Sequence, residues 1–147
     1  MPEVPQWKTY FDENADIAGK LYGVEYEWWY GIPQIFSESN SGGTSLYHQP
    51  AACAVCYVAS RSTVLMVPAR TECPDGWTME YGGYLMAEDG SDRARSKYLC
   101  WDEAPERMNG TFNADQCVIY PVQVYCGSLP CEVYIDGREL TCIVCSK

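Results

Sequence analysis

The sequence is short of basic residues, of histidine and of long apolar runs, and each shortage removes a class of function. Ten Lys and Arg stand against 20 Asp and Glu, giving a net charge of −10. Such a chain repels phosphate backbones, and no Lys/Arg stripe offsets the repulsion, so nucleic acid is not an expected partner. No apolar run approaches the roughly 20 residues that span a bilayer, so no membrane span is expected. Helical patterning is thin: residues 8–20 could hold one short helix or turn, with Asp12 as its cap. Heptads, low-complexity tracts and Gly-X-Y runs are missing from these residues. The one histidine, His48, stands near Pro50 in a loop with no Ser or Cys nucleophile in a recognisable motif, and reads as a surface residue rather than a base. Asp102, Glu103 and Glu106 do not form the two opposed carboxylates that a glycosidase needs. Catalysis is not expected, and no cofactor is called for.

Against these shortages stands an abundance of cysteine. Nine occur in 147 residues, with 12 Tyr and 5 Trp. In the cytosol such thiols would be zinc ligands or redox groups; outside the cell they form a disulfide framework. The aromatic-rich, lysine-poor composition and a sequon at Asn109-Gly-Thr111 favour the extracellular reading, with Asn109 as a candidate N-glycosylation site. The opening Met1-Pro-Glu-Val-Pro-Gln6 has neither the basic start nor the apolar segment of a signal peptide.

Two cysteine pairs share one spacing, Cys53-Ala-Val-Cys56 and Cys142-Ile-Val-Cys145. Each closes a stretch with a similar beginning: Met1-Pro-Glu-Val-Pro-Gln6 reads against Trp101-Asp-Glu-Ala-Pro-Glu106, and Leu21-Tyr-Gly-Val-Glu-Tyr26 against Ile119-Tyr-Pro-Val-Gln-Val124. The match implies an internal duplication, with residues 1–56 as the remainder of a first half-repeat and 57–147 as a second, complete one. Because Cys100 precedes Trp101, a cysteine is expected ahead of Met1, and Met1 is read as an internal methionine or an artificial boundary rather than the native start.

Strand signals dominate the rest. Residues 53–58, 63–67, 77–86, 118–125, 132–135 and 141–145 are short runs rich in Val, Ile, Thr, Tyr and Trp. Trp77, Met79 and Tyr81 alternate as in a half-buried strand. Breakers separate the runs at Pro74-Asp-Gly76, Gly82-Gly83, Asp89-Gly90, Gly127 with Pro130, and Asp136-Gly137; residues 37–45 read as a loop. The Asp136-Gly137 step predicts a tight hairpin between 132–135 and the last strand.

Three features have a sharper reading that the residues weaken. Two CxxC pairs suit tetrahedral zinc, but most of the chain and five further cysteines lie between them. Glu88-Asp-Gly-Ser-Asp92 lacks the spacing and closing glutamate of a calcium loop, so no metal is expected. Trp28, Trp29 and Tyr30, in Glu25-Tyr-Glu-Trp-Trp-Tyr30, could stack a sugar or form an interface, although filling a core is the reading favoured.

The runs Cys53-Ala-Val-Cys-Tyr-Val58, Arg61-Ser-Thr-Val-Leu-Met-Val-Pro-Ala-Arg70, Cys73-Pro-Asp-Gly-Trp77 and Glu80-Tyr-Gly-Gly-Tyr-Leu-Met86 resemble one family. So do Cys126-Gly-Ser-Leu-Pro-Cys131 and Asp136-Gly-Arg-Glu-Leu-Thr-Cys142. Together they resemble the C-terminal domain of spongin short-chain collagen-related proteins, itself similar to the non-collagenous C-terminal domain of type IV collagen, with its C-type-lectin-like relatives. The resemblance implies a mainly β, disulfide-stapled, duplicated half-domain, secreted into the extracellular matrix. It implies the bonds Cys73–Cys145, Cys100–Cys142 and Cys126–Cys131. By the same plan Cys53 and Cys56 bond cysteines upstream of Met1 or stay free, and Cys117 has no assigned place. The implied role is non-catalytic: association into trimers or with other matrix chains at the end of a collagenous stretch. A carbohydrate- or ligand-binding module with a glycan partner is the alternative, although no Glu-Pro-Asn-like calcium–sugar motif is present.

Overall fold

In this computed structural model, residues 23–26, 36, 46, 48–88, 97–108 and 117–147 are described. They form six strands: β1 (Glu25–Tyr26), β2 (Val64–Pro68), β3 (Thr78–Ala87), β4 (Leu99–Asp102), β5 (Val118–Pro121) and β6 (Thr141–Ser146). Among the described residues there is no helix, and none is long and apolar enough to cross a membrane. The expected short helix at 8–20 and the loop at 37–45 lie outside the described residues. The protein is mainly β, as its turn-punctuated, β-branched sequence dictates.

The strands join in one open sheet of order β1-β5-β3-β6-β2, with β4 also paired to β3. All pairings are antiparallel except β1 with β5, where Glu25 stands opposite Val118. β3 runs from an exposed start to a buried end, and a register irregularity between Met79 and Tyr81 breaks its alternation. Thr78, Met79 and Glu80 are all exposed, so both faces of the start of β3 are open and the expected half-buried alternation fails there. β6 lies between β3 and β2, and Cys142 through Ser146 are all buried. Neighbouring residues of a strand face opposite sides, so an unbroken buried run means that both faces of β6 are covered.

Two expected strands are absent. Residues 53–58 are irregular, and 132–135 form a turn in which the Val133 and Tyr134 N–H groups donate to the Pro130 carbonyl. The expected strand at 118–125 ends at Pro121. The Asp136-Gly137 turn exists, with Gly137 at φ +74°. It directs Arg138–Leu140 back along Val122–Val124 rather than joining 132–135 to β6.

That return is made twice in the molecule. Val124 donates to the Arg138 carbonyl and accepts from Gly137 N–H, while Leu140 N–H donates to the Val122 carbonyl. Near β1, Tyr26 donates to the Gln49 carbonyl and accepts from His48 N–H, while Ala51 N–H donates to the Val24 carbonyl. The bridges Gln123–Glu139 and Glu25–Pro50 match as well. Even the left-handed residue recurs, Gly137 in one copy and His48 (φ 54°) in the other. Residues 24–26 with 48–51 and residues 122–124 with 137–140 thus share one backbone hydrogen-bond pattern.

The core joins the chain's two parts. Tyr26, Phe36 and Leu46 pack with Met86 and Ile119, and Val24, Ala51, Tyr84 and Trp101 pack against them. Rings meet edge to face in Tyr26–Trp101 and Phe36–Tyr84, each with centroids 5.8 Å apart.

Candidate assembly surface

All nine cysteines are described. Cys73 is bonded to Cys145, Cys100 to Cys142 and Cys126 to Cys131, with Cα separations of 6.0, 5.6 and 5.6 Å. The odd spacing of Cys142 and Cys145 on β6 sends their sulfurs to opposite faces. One staple therefore ties β6 to β4 and the other ties it to the turn before β3. With both sulfurs in disulfides, this pair cannot supply thiolates to zinc.

Gly83 makes the first staple possible. It stands opposite Cys142 on β6 and opposite Asp102 on β4. A Cβ there would fall 1.8 Å from the Trp101 carbonyl oxygen and 2.7 Å from the Glu103 nitrogen. Only glycine lets β4 approach closely enough for Cys100 to reach β6. In sequence Gly82-Gly83 read as a breaker; in the structure it is the interior of β3.

Two polar clusters hold the sheet, and neither was expected from sequence. The buried Tyr26 hydroxyl donates to the Glu106 carbonyl at 2.9 Å and accepts from Trp101 Nε1 at 3.1 Å. Burial pushes its pKa up to about 12, against the lowering effect of the Trp101 hydrogen bond. In the second cluster the Ser146 hydroxyl donates to Glu80, and Arg61 pairs with the same carboxylate, Nη2 to Oε1 being 2.7 Å. The Ser146 hydrogen bond, then Arg61, holds the Glu80 carboxyl below its ordinary value. Such long-range clusters leave no local pattern in a sequence.

The surface offers two features. One is an apolar cleft of about 490 Å³, with Met66, Leu85, Val122 and Leu140 among its walls and Tyr98, Tyr125 and Leu129 at its rim. It opens where Leu85 donates to the Leu140 carbonyl and accepts from Val122 N–H, so β3, the residue after β5 and the residue before β6 meet there. The other is residues 53–57, all exposed, which carry two free thiols on Cys53 and Cys56. The third free cysteine, Cys117, is half-buried, and its carbonyl accepts from Glu25 N–H. Trp28, Trp29, Tyr30 and Asn109 lie outside the described residues. His48 is half-buried, and among the described residues no three His, Cys, Asp or Glu side chains group to hold a metal.

No protein-family model matches the chain, and no solved structure matches it.

Proposed function

We propose that this chain is a non-catalytic extracellular-matrix module, the C-terminal association domain of a short-chain collagen-like protein. Its fold on this reading is that of the type IV collagen C-terminal domain, made of two half-repeats. The observation that carries the reading is the twice-made return of the chain, Val24–Tyr26 on 48–51 and Val122–Val124 on 137–140, combined with motifs resembling that family. Three disulfides in a chain of this size fit an oxidising compartment. The exposed Leu129, inside the loop closed by Cys126–Cys131, and Tyr125, Val133 and Ile135 on either side of it fit a surface that other chains cover.

A collagen triple helix needs three chains held in register before it winds. A module that associates supplies this by raising the local concentration of the strands it carries. The test is to fuse a Gly-Pro-X tract ahead of the module and follow refolding by circular dichroism. Association predicts faster, less concentration-dependent triple-helix formation than for the free tract; identical kinetics would reject the role. Tyr98 and Tyr125 beside the cleft support the alternative, a glycan-binding module. For it, glycan-array binding lost on Tyr125→Ala is the expected signal.

A further inference from the structure

We propose that the outer edge of β2 is a docking site for an extended segment of another protein, apolar at alternate positions and led by a carboxylate, which adds to the sheet as an antiparallel strand. Among the described residues β2 ends the sheet, with β6 on one side and no strand on the other. It lies in residues 57–147, the part of the chain that holds all three disulfides within itself. The inference stands apart from the association reading above.

The register fixes which backbone groups this edge offers. Thr63 N–H donates to the Lys147 carbonyl at 3.1 Å, and Lys147 N–H donates back to the Thr63 carbonyl at 3.0 Å. In an antiparallel pair such exchange recurs at every second residue, so Leu65 and Val67 face Cys145 and Ile143 of β6 with their polar groups. The N–H and carbonyl groups of Val64 and Met66 therefore point away from β6, and among the described residues they have no hydrogen-bond partner. With Val64 66% and Leu65 39% exposed, the edge stands in solvent. A row of unpaired backbone groups is a template for another strand. Only Pro68, which has no N–H, blunts it, and only at its far end.

Side chains and charge narrow the occupant. Met66 and Pro68 line the apolar cleft. A strand laid along β2 places every second side chain on the cleft's side of the sheet, where apolar groups suit it. Residues 61–71 carry Arg61 and Arg70 but no Asp or Glu, in a chain of net charge −10. Arg61 is paired with Glu80. Arg70, two residues past the end of β2, is exposed. Antiparallel pairing is the more stable per residue, and it brings the N-terminal end of the incoming strand to Arg70. A leading carboxylate is attracted there. The β2 of a second copy, laid the same way, would bring its Arg61 toward Arg70, cation to cation.

The experiment follows backbone amide exchange of the 147-residue chain by nuclear magnetic resonance, alone and with an end-capped peptide of one glutamate followed by alternating valine and threonine. Alone, the Val64 and Met66 amides should exchange fast, and those of Leu65 and Val67 slowly. Saturating peptide should slow Val64 and Met66 as well. N-methylation of every second peptide residue should abolish binding in one phase, where the methyls face β2, and leave it unchanged in the other. Val64→Pro removes an outward donor but none of the β2–β6 bonds, and should weaken binding about tenfold. Arg70→Glu should weaken binding of the glutamate-led peptide and strengthen that of a lysine-led one.

Binding that leaves Val64 and Met66 exchanging as before, no difference between the two methylation phases, or no binding at millimolar peptide would overturn the proposal. Slow exchange of Val64 and Met66 in the chain alone would overturn it too. If that protection grows with protein concentration, a second copy covers the edge; if it is constant, a segment of the same chain does. Should Val64→Pro fail to fold, the methylated peptides decide the outcome on the parent chain.

Discussion

Gly83 and Tyr26 each hold together elements distant in sequence. At Gly83 the obstacle to a side chain is backbone, the Trp101 carbonyl oxygen and the Glu103 nitrogen, which cannot rotate away. Gly83→Ala should therefore cost about 3 kcal/mol or more, at or above the upper end for overpacking. Thermal denaturation will show the loss, and peptide mapping should find the Cys100–Cys142 bond formed less completely. Tyr26→Phe leaves the Trp101 indole N–H and the Glu106 carbonyl without their shared partner. Its expected cost is about 1–3 kcal/mol at neutral pH. Because burial raises the folded pKa of Tyr26 above 10, its protonated form stabilises the fold fully below pH 10 and loses that effect as pH rises toward 12. The parent's stability should fall there by up to about 1.4 kcal/mol per pH unit from this group alone. Chemical denaturation at pH 8 to 11.5 should find the gap between parent and Tyr26→Phe narrowing as pH rises.

At the scale of elements, β6 is the organising strand, stapled on both faces and flanked by β2 and β3. In the chain-entropy model the bonds across 72 and 42 residues each contribute about 4 kcal/mol, and the bond across 5 residues about 2. Paired Cys→Ser replacement at 100 and 142 should thus lower stability about twice as much as replacement at 126 and 131, read from denaturant midpoints. The Arg61–Glu80–Ser146 cluster ties the approach to β2, β3 and the end of β6 together. With the Glu80 carboxyl depressed, its stabilising effect is present above the unfolded value near 4.5 and is lost as pH falls through the lower folded value. The advantage of the parent over Glu80→Gln should accordingly shrink in acid; a gap unchanged from pH 7 to 3 would contradict the assignment.

The strand runs at 63–67, 77–86 and 141–145 were legible because β-branched content and turn residues bound them locally. Residues 53–58 have a similar composition but no strand beside them among the described residues, and composition alone cannot order a strand without neighbours. Residues 132–135 instead turn on the Pro130 carbonyl, which accepts from the Val133 and Tyr134 N–H groups. β4 was missed because Leu-Cys-Trp-Asp is too short for periodicity to register. The two polar clusters unite residues up to 85 apart in sequence, so no window could have found them.

For the whole molecule, a core shared by residues on both sides of position 56 makes the sheet one folding unit, so the two halves should unfold together in a single transition. What that unit presents outward is an apolar cleft, exposed apolar residues around the Cys126–Cys131 loop and an uncharged stretch at 49–60, on a protein otherwise strongly acidic. On the proposed function, this surface brings three chains together. Sedimentation equilibrium of the Cys53→Ser/Cys56→Ser chain over a range of concentrations tests it most directly, since no interchain bond through those thiols can then imitate association. Three-chain association gives a reversible rise from the 16.6 kDa monomer toward about three times that mass; a mass of 16.6 kDa at every concentration would refute it.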